Sequence, residues 1–261
     1  MTALLLTGAS GRMAAALRPA LRELYDEVRL FSRSEIDDVA DGETLVRGTL
    51  EDLAALRQAS AGVDAVVHLG GRADEAEFAA ILSANILGTY NVFEAAHESG
   101  VGRVVYASSH HVTGFHSADE MVSVDSDVRP DTYYGVSKVF GEAIGRLYHD
   151  KWGLEVVCLR IGVCRAEPEN SDQLRTWLSV PDSVRLVRAA LSHDLPGGFA
   201  TVYGVSDNST RFWDASGGET IGFMPEDSAD EFADRFGGHQ EFSTAHQGAA
   251  FTAPDYRGGI W

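Results

Sequence analysis

Short unbroken apolar runs alternate with longer stretches in which apolar residues return every third or fourth position. The first rhythm belongs to strands buried on both faces, the second to helices with one buried stripe. Ala3–Thr7, Glu27–Phe31, Thr44–Val46, Ala65–Leu69, Arg103–Ala107 and Glu155–Ile161 are the predicted strands. Arg12–Leu24, Leu53–Ala59, Glu75–Glu98 and Thr132–Lys151 are the predicted helices among them. Such alternation predicts an α/β fold, a doubly wound parallel sheet with helices on both faces, because right-handed crossovers leave few rival topologies. Past Gly162 the rhythm loosens. Ser183–Ser192 reads as a helix and Ala200–Tyr203 as a strand, while Gly237–Trp261 is rich in Gly, Gln, His and Thr with little periodicity. The expected organisation is one integrated domain, a core over 1–162 and a small substrate-binding lobe with an irregular tail over 163–261. No repeat or linker separates the two.

Composition narrows the setting. The 261 residues are 44% hydrophobic and 23% charged, a globular profile. No stretch approaches the ~20 apolar residues that cross a bilayer. Met1–Leu6 has no basic residue before its short apolar run, and Gly8 follows at once, which is not the pattern of a signal peptide and points to the cytoplasm. A formal charge of −18 disfavours nucleic acid and anionic membranes as partners. Two cysteines, Cys158 and Cys164, make neither a disulfide framework nor a metal cluster, and no metal site is expected.

Thr7-Gly8-Ala9-Ser10-Gly11-Arg12-Met13-Ala14 joins the first strand to the first helix. Glycines there allow a tight turn and close backbone approach, so amides at a helix N-terminus can face a pyrophosphate. Ala14 stands where a third glycine often sits and is small enough for helix–strand packing. This loop in this place gives the sheet the character of a Rossmann fold, with Gly8, Ser10, Gly11, Arg12 and Met13 as cofactor-binding candidates. The end of the second strand reports on which dinucleotide binds: a carboxylate suits the ribose 2′-hydroxyl, a basic group a 2′-phosphate. Here Phe31 runs into Ser32-Arg33, and no carboxylate appears until Glu35, so NADP is expected over NAD.

Tyr134 and Lys138 stand four apart near the start of a helix, hence on one face. A free phenol, with a pKa near ~10, is a poor base at neutral pH. A neighbouring ammonium and a cationic nicotinamide would both lower it. Lysine is rare here (Lys138 and Lys151 against nineteen arginines), and one of the two sits where it would matter. Ser108-Ser109 adds hydroxyls at the carboxyl end of the fifth strand, the edge where doubly wound sheets bind ligands.

These residues, with His68-Leu69-Gly70-Gly71 after the fourth strand and Asn85 followed by Gly88-Thr89-Tyr90-Asn91-Val92, resemble the extended short-chain dehydrogenase/reductases. More narrowly, Ala107-Ser108-Ser109-His110-His111, Arg160-Ile161-Gly162, Thr176-Trp177-Leu178-Ser179 and Gly204-Val205-Ser206-Asp207-Asn208 are similar to stretches of uronate dehydrogenases and their aldose-dehydrogenase relatives. The resemblance implies Tyr134 as general base, Lys138 as its electrostatic partner and ribose anchor, Ser109 as the hydroxyl that orients the substrate oxygen, and Asn85 as a fourth member holding the long helix and a water near Lys138. It also implies that Thr49, Leu50, Leu69, Gly70, Gly71 and Ile161 face the dinucleotide. Related enzymes often pair through helices matching 75–98 and 132–151, so the resemblance allows a homo-oligomer, although the residues themselves do not give the oligomeric state.

Departures cluster at the substrate end. Uronate-acting relatives have Ser two residues after the Gly-Gly pair, where this chain has Ala73. They have Asn after the paired serines, here His110, and Ser after Arg-Ile-Gly, here Val163. Nine residues further they place a carboxylate-binding Arg, and here Asp172 would repel a carboxylate. Arg72, Arg165 and Arg175 are the remaining candidates to read a carboxylate, phosphate or sulfonate, and His110 and His111 to bond a sugar hydroxyl. The expected activity is oxidation of a sugar's anomeric C1 hydroxyl to the lactone. Two other functions share the core. A nucleotide-sugar dehydratase would carry an acidic pair where His110-His111 stand, and an epimerase needs a larger lobe to grip a nucleotide diphosphate. A non-catalytic dinucleotide-sensing regulator normally loses the Tyr/Lys pair, which is kept here.

Overall fold

A computed structural model describes residues 1–259. Seven strands, all parallel, form one sheet: β1 (Ala3–Thr7), β2 (Glu27–Ser32), β3 (Glu43–Arg47), β4 (Ala65–His68), β5 (Arg103–Ser109), β6 (Glu155–Ile161) and, from beyond the lobe boundary, β9 (Phe199–Gly204), in the order β3-β2-β1-β4-β5-β6-β9. A short pair, β7 (Val163–Cys164) and β8 (Trp177–Leu178), with the one-turn α6 (Gln173–Thr176) between them in the chain, lies outside it. Side chains alternate between faces. Leu4 and Leu6 join α1 (Arg12–Leu24) and α7 (Val180–Ser192) in one core, while Leu5 and Val66 join α2 (Leu53–Ser60), α4 (Gly88–Glu98) and α5 (Tyr133–Trp152) in the other. Leu4, Leu5 and Leu6 are fully buried, each worth roughly 1.5–3 kcal/mol of apolar transfer. Among the described residues no helix is long and apolar enough to cross a membrane.

The sheet does not respect a boundary at residue 162. β9 pairs with β6 throughout, and Leu186, Val187, Ala190 and Leu191 of α7 bury their stripe in the same core as α1. What stands apart from the sheet is the stretch 163–178, the segment 205–259, and a small cluster of Val122, Val205, Phe212 and Trp213 packed on Tyr203. The long helix expected over 75–98 begins instead at Phe78. Its first turn is α3 (Phe78–Ile81), and it widens into a π-helical turn over Leu82–Leu87 before α4. Asn85 lies in that wide turn, a geometry frequent at functional sites.

Strand order reverses between β1 and β4, which opens a crevice beyond their carboxyl ends. There Gly8 takes φ +69°, and a Cβ on it would stand 2.8 Å from the Gly70 amide nitrogen. Only glycine permits that approach of two loops.

Candidate active site

The crevice is a cavity of about 580 Å³ running between the two loops and across the end of β5. At one end it is lined by Gly8, Ser10, Gly11, Arg12, Met13, Ser32, Arg33, Leu50, Leu69, Gly70 and Gly71. Gly11 caps α1 without a side chain, and the first turn of the helix holds no acid. Uncapped amides at a helix N-terminus, reached over a glycine turn, fit a pyrophosphate. Ile161 lines the wall between the two ends, and Arg72, Ala73, Ser109, His110, His111, Tyr134 and Lys138 line the other end.

Thr132 starts α5 by accepting from the Gly135 amide at 3.0 Å, and Glu75 accepts from the Tyr134 amide at 2.8 Å. These two bonds fix where the helix presents Tyr134. Its phenol lies near the Ser109 hydroxyl, whose Oγ accepts from the His111 amide at 3.3 Å. Lys138 Nζ donates to the Ala107 carbonyl at 2.7 Å and lies 5.5 Å from the Tyr134 ring centroid. Burial pushes the Tyr134 phenol up to about 12; the Ser109 hydroxyl lowers it, and Asp131 and Asp74 raise it further. Burial pulls the Lys138 ammonium down to about 8, against a smaller opposing effect of Glu142. The lowered phenol expected from the Tyr/Lys spacing is therefore not what the protein alone provides, because both groups are desolvated together.

Beneath the cavity Glu142 holds Arg160 through two bonds of 2.9 Å and accepts from Ser108 at 2.6 Å. Asn85 ties the loop after Gly71 to α5. It accepts from the Arg72 amide at 2.7 Å and donates to the Arg72 carbonyl and to Ser137 Oγ, each at 3.0 Å.

Residues 4–164 match the model of the NAD dependent epimerase/dehydratase family. The chain belongs to that family. A uronate dehydrogenase from Pseudomonas syringae pv. tomato is 40% identical, over 96% of this chain and 93% of its own length. An L-arabinose 1-dehydrogenase (NAD(P)(+)) from Haloferax volcanii is 34% identical over 88% of this chain and 98% of its own. The crystal structure of a uronate dehydrogenase from Agrobacterium tumefaciens, a mutant complexed with NAD, superposes with a TM-score of 0.91 at 36% identity, covering 98% and 99% of the two chains.

Against this family background, several candidates fall outside the cavity. Thr49 does not line it, although its neighbours Gly48, Leu50 and Glu51 do. Asn85, 2% exposed, has its amide taken up by Arg72 and Ser137 rather than directed at Lys138. Val163 pairs with Trp177 in the short β7–β8 ladder. Arg165 faces a second cavity beside Glu169, which it meets at 2.5 Å. Arg175 donates to the Thr210 and Gln240 carbonyls and lies over the Phe212 ring. Of the three substrate arginines only Arg72 reaches the cavity. Asp172 is bonded to the amide of Ser243, at 2.9 Å, and to its hydroxyl. Sequence reasoning did not single out Asp131, whose carboxylate holds His111, or Phe251 from the tail, whose ring stacks on His111 at 3.8 Å. No local motif marks either one; both meet His111 only through the tertiary fold.

Proposed function

We propose that the protein is a nicotinamide-dependent sugar dehydrogenase that oxidises the anomeric C1 hydroxyl of a free sugar to the lactone. The observation that carries this reading is the placement of Tyr134, Lys138 and Ser109 in one cavity with the glycine cradle. The named activities of the relatives support it, since they act on uronates and, at position 1, on L-arabinose. Gly8, Gly11 and the amides that open α1 would hold the pyrophosphate, and Lys138 the nicotinamide ribose. A bound nicotinamide would supply the acceptor for the C1 hydride and a positive charge. Tyr134 removes the hydroxyl proton, Ser109 shares the charge that develops on the substrate oxygen, and the Lys138 ammonium favours the phenolate.

Arg33 on the cavity wall, with no carboxylate at positions 32 and 33, favours NADP over NAD. Ser32 Oγ accepts from the Ser34 amide at 3.1 Å, which leaves its O–H to donate to a 2′-phosphate beside Arg33. At the far end, Asp172 bonds Ser243 while Arg165 and Arg175 bond other partners, so a hexuronate carboxylate has no clamp of the expected kind. An aldose, or a sugar derivative whose anionic group can reach Arg72, fits better. The test is to mix the protein with NADP or NAD and a panel of aldoses, uronates and sugar phosphates. Reduced cofactor is followed by absorbance and the C1 product by carbon NMR. Tyr134→Phe is expected to abolish turnover and keep dinucleotide binding; full turnover in that variant refutes the base assignment.

A further inference from the structure

Proton abstraction by Tyr134 needs a charged Lys138, yet this amine is buried one helical turn from a carboxylate that could pair with it. Tyr134, Lys138 and Glu142 follow one another at intervals of four on the buried face of α5. Three consecutive residues of β5 meet them. Ser109 lies near Tyr134, the Ala107 carbonyl accepts from Lys138 Nζ at 2.7 Å, and Ser108 donates to Glu142 at 2.6 Å. The helix cannot slide along the strand without breaking this set.

Glu142 does not close on Lys138. Its two oxygens are taken by the fork of Arg160 on β6, Nε to Oε1 and Nη2 to Oε2, each at 2.9 Å. With the Ser108 hydroxyl, three donors converge on one carboxyl group, which is the pattern of an ionised carboxylate. Arg160 is 3% exposed and lies 5.5 Å from the Tyr203 ring centroid, and a guanidinium keeps its proton throughout the working range of pH. Along the floor of the cavity the charges therefore alternate: ammonium, carboxylate, guanidinium, with the Tyr134 phenol at the head of the row. The other titratable groups around this row are neutral at neutral pH. Burial, reinforced by Lys138, holds His68 of β4 down to about 3. Burial pushes the Cys158 thiol of β6 well up, and likewise the phenol of Tyr106 on β5, whose ring centroid is 5.1 Å from Nζ. Asp131 and Asp74 act on the Tyr134 phenol itself.

Such a row sums to a single positive charge. Without Arg160 the carboxylate would cancel the ammonium, and the row would offer a phenolate no net charge. Without Glu142 two cations would share the floor, and the buried amine would give up its proton more readily. We propose that Glu142 and Arg160 act together as positioning residues, the carboxylate keeping the proton on Lys138 and the guanidinium keeping the carboxylate off it. This rests on the dehydrogenase reading and adds the device that holds its ammonium charged and unpaired beneath the phenol.

Lys138 and the exposed Lys151 are the two lysines of the chain. Lysine labelled with carbon-13 at Cε therefore gives two NMR signals, which Lys151→Arg assigns. The Lys138 signal of the wild type is expected to titrate at about pH 8. Arg160→Gln is expected to raise that midpoint by about one pH unit or more and to lower kcat about tenfold or more at neutral pH. Glu142→Gln should lower the midpoint by about one unit or more and bring the levelling of kcat to lower pH by the same step. The double variant Glu142→Gln/Arg160→Gln removes both charges. Its midpoint should fall between those of the single variants, and it should recover most of the activity that Arg160→Gln loses. Where Arg160→Gln is too unstable to titrate, Glu142→Gln, which keeps an oxygen for Arg160, decides by the same signal. An unchanged Lys138 midpoint in a folded single variant overturns the proposal, as does a double variant slowed equally at every pH, the mark of a packing role. The titration needs no sugar, so either result in an active enzyme leaves the dehydrogenase reading intact. A panel in which no sugar reduces either dinucleotide overturns that reading whatever the lysine signal shows.

Discussion

Replacing Lys138 by Met tests the electrostatics on which proton abstraction depends. The Lys138 ammonium is pulled down to about 8 and the Tyr134 phenol pushed up to about 12, so the amine loses its proton first. The two groups titrate as a pair, and below about pH 8 a phenolate forms beside a charged neighbour. With Nζ 5.5 Å from the ring centroid, one unit charge at an effective dielectric of about 20 is worth about 3 kcal/mol, or about 2 pKa units. Lys138→Met should therefore lower kcat by about 100-fold at neutral pH. The assay is kcat at saturating dinucleotide and sugar across about pH 6 to about pH 10. The variant's log kcat should climb by about one per pH unit over the range, while the wild type levels off above about pH 8, where the amine loses its proton and with it the charge that favours the phenolate. A variant within threefold of wild type, or one slowed equally at every pH, would refute the reasoning. The second result would mark Lys138 as an anchor and no more.

Other consequences can be checked without knowing the sugar. His68 is fully buried between Thr7 and Thr89 and held down to about 3, so the unfolded chain takes up its proton first. Its contribution is complete above about pH 6.5 and falls with acid by about 3 kcal/mol at about pH 4.5; urea unfolding should show that slope, and His68→Gln should flatten it. Glu142→Ala leaves the buried Arg160 charged without its carboxylate, with only the Val124 carbonyl and the Tyr203 hydroxyl at 3.4 Å, and should cost about 3–5 kcal/mol, read as a drop in Tm. Gly8→Ala imposes φ +69° on a residue with a Cβ, about 1–2 kcal/mol before its contact with Gly70 is counted, and should weaken dinucleotide binding by calorimetry at least tenfold. Arg33→Asp should move the NADP-to-NAD ratio of kcat/KM toward NAD by more than tenfold; an unchanged ratio removes Arg33 from cofactor choice.

The core was legible because its determinants are local and periodic. β1, α1 and β6 fall on the residues that the apolar pattern marks, and Gly8 sits where strand must become helix within a few residues. Two features escaped the pattern for physical reasons. The helix over 75–98 contains a π-helical turn, which costs one extra residue and leaves the apolar spacing almost unchanged, so periodicity registers only a long helix. The strand β9 is marked in part, over Ala200–Tyr203, but lies past a stretch without rhythm. Its membership in the main sheet depends on pairing with β6 about forty residues earlier, a long-range choice that no local window contains.

The substrate end was less legible because polar groups, satisfied one at a time, build it. Gln247 accepts from Trp213 Nε1 at 3.0 Å and donates to the Ser117 and Glu120 carbonyls, which pins Trp213 beside His110. Gly248 donates to the Gly114 carbonyl, and Tyr256 and the Gly259 amide both bond Asp74, which closes the tail over the loop that carries Arg72. Contacts of this kind impose no period on the sequence, which is why residues 237–261 read as irregular although 247, 251 and 256 occupy defined places. They also separate two kinds of change. Substitution at Tyr134 or Lys138 would alter the proposed reaction, whereas substitution at Gln247 or Phe251 shifts the imidazoles of the cavity wall. Gln247→Ala would leave Trp213 Nε1 buried and unpaired and loosen its packing on His110. Its expected effect is a higher sugar KM with the dinucleotide KM unchanged; an equal rise in both would mean that the tail supports the whole cavity rather than its substrate wall.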